Sequence, residues 1–154
     1  MVERKAGRRV LAVASTGGHW EQLMLLSPAF EGAATTFVCT DPRQADCHEL
    51  PAFLAVPDCN QTRPLDTLRC LVRTFIIVFR LRPHLVISTG AAPGLLCLLW
   101  GRLFGARTIW IDSIANSENL SLSGRLAMQI AHRVLTQWEH LAHDGRPDYR
   151  GSVL

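Results

Sequence analysis

No run in this sequence reaches the ~20 consecutive apolar residues that cross a bilayer as a helix. Charge is also scarce. Only 19% of the 154 residues are charged, and the net charge of +3 is too mild to argue for a nucleic-acid partner. No CxxC occurs. The five cysteines, Cys39, Cys47, Cys59, Cys70 and Cys97, are odd in number and form no cluster with histidine at ligand spacing. Reduced thiols in a cytosolic protein are expected, and no metal site. The N-terminus has basic residues but no apolar signal core. No linker rich in proline, glycine or serine divides the chain.

What is present fits one domain with a sizeable core: 48% of the residues are hydrophobic. The basic residues are uneven. Arg4, Lys5, Arg8 and Arg9 crowd the start; Arg63, Arg69, Arg73, Arg80 and Arg82 crowd one middle segment. Such unevenness can mark an anionic membrane surface. The expected organisation is a basic tail at 1–8, one domain at 9–137, and a C-terminal tail at 138–154.

The organising stretch is residues 10–19, VLAVASTGGH. Its apolar half reads as a strand buried on both faces. Ser15, Thr16, Gly17 and Gly18 then form a turn into a helix from about Trp20. A glycine turn of this kind aims free N–H groups and the positive helix end at one spot, which suits a phosphate. The bland alternative is a tight turn with a solvent-facing histidine. Further strands are expected at 35–40, 53–56, 85–88, 108–111 and 133–136. Helices are expected at 65–82, 95–104 and 121–131. Residues 43–50 stay ambiguous, and 137–154 reads as weakly ordered. The alternation implies an α/β fold, a Rossmann-like parallel sheet with helices on both faces.

In such a sheet, ligands bind at the carboxyl ends of the strands. Three turns lie there. The first is Ser15 to His19. The second holds Thr89, Gly90 and Gly94. The third begins at Asp112 and includes Glu118 and Asn119. His19 is a candidate general base, because an imidazole titrates near neutrality. Asp112 directly follows a buried strand and could orient His19 or bind a sugar hydroxyl. In helix 65–82, Arg69, Arg73 and Arg80 share one side, and Phe75 and Phe79 stand nearby. This helix either lies on an anionic membrane or is ordinary core with solvated arginines.

Taken in order, several motifs form a familiar set. They are STGGH at 15–19, STGAAPG at 88–94, IDS at 111–113, LSLSGRL at 120–126 and TQW at 136–138. The set resembles the acceptor-side subunits of two-component UDP-sugar glycosyltransferases. That family includes the membrane subunit of the eukaryotic dolichol-linked GlcNAc transferase and bacterial exopolysaccharide counterparts such as PssD. The resemblance implies the N-terminal half of a GT-B glycosyltransferase, similar to the N-domain of MurG. It implies a separate subunit that supplies the UDP-sugar, so no cofactor is held by this chain alone. It further implies a polyprenyl-diphosphate-linked acceptor and peripheral attachment to the cytoplasmic face of the plasma membrane. By the same resemblance His19 is the base, and Gly17, Gly18, Gly90 and Gly94 shape the cleft near the acceptor diphosphate. Asp112, Glu118 and Asn119 line that cleft. The family pattern often has Glu where Asp112 stands, one methylene longer.

Overall fold

The structure, a computed structural model, describes residues 7–59 and 62–153. Most of the expected basic tail at 1–8 therefore lies outside the described residues.

The chain alternates strand and helix. β1 (Arg9–Ala14) leads through the glycine turn into α1 (Gly18–Leu26). β2 (Ala34–Cys39), the single turn α2 (Gln44–Cys47) and β3 (Phe53–Ala55) follow. Then come α3 (Pro64–Leu81), β4 (Leu85–Gly90) and α4 (Ala92–Leu103). β5 (Arg107–Ile111), α5 (Leu122–Ile130) and β6 (Arg133–Thr136) complete the regular part. Helix α4 begins three residues before the expected start. Pro93 sits in its first turn, where a missing N–H costs nothing.

With a short last strand, β7 (Asp148–Tyr149), all pairings are parallel, in the order β3-β2-β1-β4-β5-β6-β7. The chain winds outward from β1 to β3, crosses back, and winds outward the other way from β4. The order therefore reverses between β1 and β4, which opens a crevice at their carboxyl ends.

Side chains of β1 alternate between two cores. Leu11 and Val13 pack with Val78 of α3, Leu98 of α4 and Ala127 of α5. Val10, Ala12 and Ala14 pack with Trp20 and Leu23 of α1 and with Phe37 and Ile87. Helices thus cover both faces of the sheet, as the unbroken apolar run in β1 requires.

The segment after Gln137 departs from expectation. It makes a short turn at Glu139–Leu141, and β7 (Asp148–Tyr149) extends the sheet beside β6. Arg146 ties this segment down by donating to the carbonyls of Met128 and Ala131, at the end of α5. A two-residue strand is too short to show a period in sequence.

Candidate active site

Strand β4 carries an irregularity at its carboxyl end. Val13 pairs with Ser88, but Ala14 pairs with Gly90, so Thr89 is an extra residue in β4. Such a bulge re-aims the chain. Here it turns Thr89 toward His19, which is half-buried at the start of α1. The carbonyl oxygen of Thr89 lies 3.0 Å from His19 Nδ1. In return, Thr89 Oγ1 donates to the carbonyl oxygen of His19 at 2.6 Å. A carbonyl only accepts, so Nδ1 carries the proton. That leaves the lone pair on Nε2, the arrangement a general base needs.

The glycines of the crevice divide by function. Gly17 has φ +79° and opens α1. Gly90 has φ +130°, and a Cβ there would sit 2.4 Å from His19 Nδ1. Only glycine lets the two turns approach this closely. A Cβ on Gly94 would fall 1.8 Å from Ser88 Oγ. Gly94 is thus a packing residue that brings α4 onto β4. A Cβ on Gly18 would meet nothing within 4 Å, so Gly18 fronts open space.

Ser15 N–H donates to Gly90 O at 2.9 Å, and Thr16 N–H to Thr40 Oγ1 at 3.0 Å. These bonds pin the glycine turn to both neighbouring strands. No side chain caps α1 or α4. The first-turn N–H groups of α1, and those of α4 other than Pro93, which has none, are therefore not taken by side-chain caps at the crevice, where both helix dipoles are positive.

Asp112 serves a different part of the molecule. It is 2% exposed, and its carboxylate accepts from Trp110 Nε1 (3.0 Å), Asn116 Nδ2 (3.2 Å), Ser121 N (2.9 Å) and Ser121 Oγ (2.6 Å). Ser121 Oγ in turn caps α5 by accepting from Gly124 N at 2.8 Å. Asp112 thus anchors the loop after β5 and the start of α5. The carbonyl of Thr89, not Asp112, orients His19. Glu118 and Asn119 are exposed in the same loop.

A buried amide chain, invisible in the sequence, ties these parts together. Gln137 Nε2 donates to Gln22 Oε1 of α1 (2.7 Å) and to Asp112 O (3.0 Å). Gln22 Nε2 donates to Ser113 Oγ (3.1 Å). Gln137 Oε1 accepts the N–H of Val153 at 3.0 Å. The polar residue type was the only available signal, because the partners lie as many as 115 residues apart.

Helix α3 buries Cys70, Thr74, Ile77 and Val78. Its other side exposes Leu65, Leu68, Val72, Phe75, Ile76 and Phe79. Phe75 and Phe79 stack at 5.9 Å, and both meet Phe104, just past the end of α4, at 5.8 Å. At 3.6 residues per turn, Arg69, Arg73 and Arg80 form a row along one edge of this apolar stripe. Asp66 pairs with Arg69 at 3.1 Å. Ordinary core therefore describes only one side of this helix; the other presents apolar residues at the surface.

Burial pushes the thiols of Cys39, Cys70 and Cys97 up, with Cys59 adding to the shift at Cys70 and Cys97. These are inert core thiols. Among the described residues no group of three or more His, Cys, Asp or Glu could hold a metal ion, and no helix is long and apolar enough to cross a membrane.

Over residues 33–153 the chain matches the family described as oligosaccharide biosynthesis protein Alg14 like. It is 27% identical over 167 residues to the UDP-N-acetylglucosamine transferase subunit ALG14 of Eremothecium gossypii, covering 88% of this chain and 75% of that protein. It is 33% identical over 85 residues to the subunit of the same name from Yarrowia lipolytica, covering 51% of this chain and 39% of that one. Among solved structures, MurG of Acinetobacter baumannii superposes with a TM-score of 0.74 at 13% identity, over 94% of this chain and 45% of the other. The UDP-N-acetylglucosamine 2-epimerase of Rickettsia bellii gives 0.70 at 12% identity, over 96% and 45%. At such identities these two establish a shared fold, and this chain spans less than half of either. The family match runs from the residue before β2 through β7, and the chain belongs to the Alg14-like family of oligosaccharide biosynthesis proteins.

Proposed function

We propose that this chain is the acceptor-side subunit of a two-component glycosyltransferase, which moves a sugar from a UDP-sugar to a lipid-diphosphate-linked acceptor. The observation that carries this reading is the pairing of His19 with Thr89. It frees Nε2 beside two uncapped helix N-termini. The helix ends receive the acceptor diphosphate. Nε2 takes the proton of the acceptor hydroxyl, and that oxygen attacks C1 of the donor sugar. The bond from C1 to the phosphate oxygen breaks, and UDP leaves with the electron pair. The sugar inverts in one in-line displacement.

The fold supplies one half of a GT-B pair, so the UDP-sugar arrives on a catalytic donor-binding subunit. This chain alone is then inactive. The segment 138–154, joined to α1 through Gln137 and Gln22, is the proposed partner-docking element. The stripe on α3 with Arg69, Arg73, Arg80, Phe75 and Phe79 is the proposed contact with the anionic cytoplasmic face of the plasma membrane.

His19→Ala in the assembled complex tests this reading. A general base typically contributes about 10²–10⁴-fold. The expected result is a fall in kcat of that order, with acceptor KM little changed and the complex intact by gel filtration. A loss below about threefold removes His19 from the chemistry. It would leave a non-catalytic recruiting module, which the exposed face of α3 favours.

A further inference from the structure

At the amino ends of the strands, opposite the crevice, positive charge gathers a second time. Arg107 is the first residue of β5 and Arg133 the first of β6. Side chains alternate along a strand, so Arg107 shares a face with Ile109 and Ile111, and Arg133 with Leu135. Those three apolar residues belong to the core that holds Trp20 and Leu23 of α1. Val78 of α3 lies in the other core. Both arginines therefore rise from the face of the sheet turned away from α3. There they border an open pocket of about 350 Å³, together with His132, Gly145, Arg146 and Asp148.

The charges around this pocket do not balance. Asp148 is the one carboxylate lining it, at 2.8 Å from Arg150 and 3.8 Å from Arg133. Asp144 precedes Gly145 but does not line the pocket. Arg146 donates to the carbonyls that end α5, which accounts for its presence. No helix end accounts for Arg107 or Arg133, which belong to strands. Among the described residues no carboxylate pairs with Arg107. Burial first, then Arg102 and Arg107, hold the pKa of His132 below the ordinary histidine value, so positive charge does converge here.

His132 adds a donor. Its Nδ1 accepts the N–H of Thr108 at 3.1 Å, and a backbone N–H only donates. The ring proton therefore sits on Nε2, on an exposed ring between β5 and β6. Two guanidinium forks and one imidazole N–H suit a tetrahedral dianion with several oxygens; one fork would suffice for a carboxylate. The volume exceeds that of the anion alone. Val134 is the single apolar residue of the lining, so the rest of the ligand is polar.

We propose that this pocket binds the phosphate group of a small, soluble phosphate ester. Arg107 and Arg133 hold its oxygens, and His132 donates to it from Nε2. A lipid headgroup is the less suitable source, because the pocket faces away from the apolar stripe of α3. Occupancy ties residues 145–148 to the starts of β5 and β6. The site is independent of the crevice and of the transfer reading above.

Glycerol 3-phosphate added to the ¹⁵N-labelled full chain at constant ionic strength tests this by NMR. The expected result is a saturable shift of the backbone amides of Arg107, His132, Arg133 and Asp148. Arg107→Gln and Arg133→Gln should each weaken that binding about tenfold or more, as the loss of a hydrogen bond to a charged group implies. Arg107→Lys keeps the charge but not the fork, and should lose most of the affinity too. Both positions are exposed, and a dispersed spectrum shows each variant folded. Absence of a saturable shift at these amides overturns the proposal. So does the same response to sodium chloride alone, which would be screening. Full affinity in Arg107→Lys or in both glutamine variants means diffuse charge instead of a built site, and overturns it as well. Binding to phosphatidic acid vesicles without binding to glycerol 3-phosphate would assign the pocket to a lipid headgroup and overturn the soluble ligand.

Discussion

His19 and Thr89 hold each other by two hydrogen bonds that run in opposite directions across the crevice, Nδ1 to carbonyl at 3.0 Å and Oγ1 to carbonyl at 2.6 Å. The first fixes the tautomer of the ring, and the second fixes the backbone from which the ring hangs. Thr89→Val keeps the shape of the side chain and loses the second bond. Its expected effect on the assembled enzyme is a fall in kcat of about tenfold, from loosened orientation of the base. Thr89→Ser should restore most of the rate. If Thr89→Val retains full activity, the hydroxyl has no positioning role.

Asp112 separates structural from chemical roles. Its buried carboxylate accepts four hydrogen bonds, so Asp112→Ala should lower unfolding free energy by about 1.5–3 kcal/mol, the worth of a hydrogen bond to a charged group. Urea denaturation reads this directly. Asp112→Asn should be milder, because its amide can still accept from Trp110 or Ser121. If Asp112→Asn leaves stability unchanged but lowers kcat a hundredfold, the carboxylate belongs to the chemistry instead.

The row of arginines on α3 predicts salt-sensitive attachment to anionic vesicles. Each near-surface charge contributes about 1 kcal/mol on such lipid, and Arg69 contributes less because Asp66 already holds it. Replacing Arg69, Arg73 and Arg80 together with glutamine should weaken co-sedimentation tenfold or more, by roughly that arithmetic. The residual binding should respond less to salt. Unchanged co-sedimentation would assign α3's exposed face to another partner.

His132 gives a pH dependence whose sign follows from its partners. Its Nδ1 accepts the N–H of Thr108 at 3.1 Å, which requires the neutral ring. Burial, then Arg102 and Arg107, push its pKa below the ordinary histidine value. The unfolded chain therefore takes up this proton first as pH falls. Stability from this site is complete above about pH 6.5 and is lost as pH drops from there toward the lower folded value. His132→Asn, which keeps an acceptor and removes the titration, should flatten the loss of Tm between pH 7.5 and 5.5. An unaltered slope would assign the dependence to other groups.

The regular elements were legible because their signals are local. The apolar run of β1, the Gly17-Gly18 turn, and the arginines near the end of α3 each announce themselves within a few residues. The placement of His19 against β4 was legible only in part. The strand-to-helix turn shows in the sequence, but the bulge at Thr89 does not, and it decides which nitrogen of His19 is free. Gly94 shows why a glycine alone misleads: the same residue type that would admit a phosphate here admits Ser88. Asp112 was legible as an acid at the end of a buried strand, yet its partners come mostly from a loop whose course no periodicity encodes. β7 and the link from Gln22 to Gln137 depend on contacts between distant segments, which propensity cannot carry.

An interior strand of this sheet is the first of its strands to be made. β1 borders β2 on one side and β4 on the other, and the contact between Arg9 and His84 spans 75 residues. At ~5–20 residues per second of synthesis, one edge of β1 waits roughly 4–15 s for its neighbour. In that interval α3, with its outward-facing Leu65, Leu68, Val72 and Phe79, has already emerged. The nascent chain therefore carries an open strand edge and an apolar helix face at the same time, the two features that draw chaperones and promote aggregation. Yield in cells should depend on what shields those surfaces during translation more than on the equilibrium stability of the finished fold.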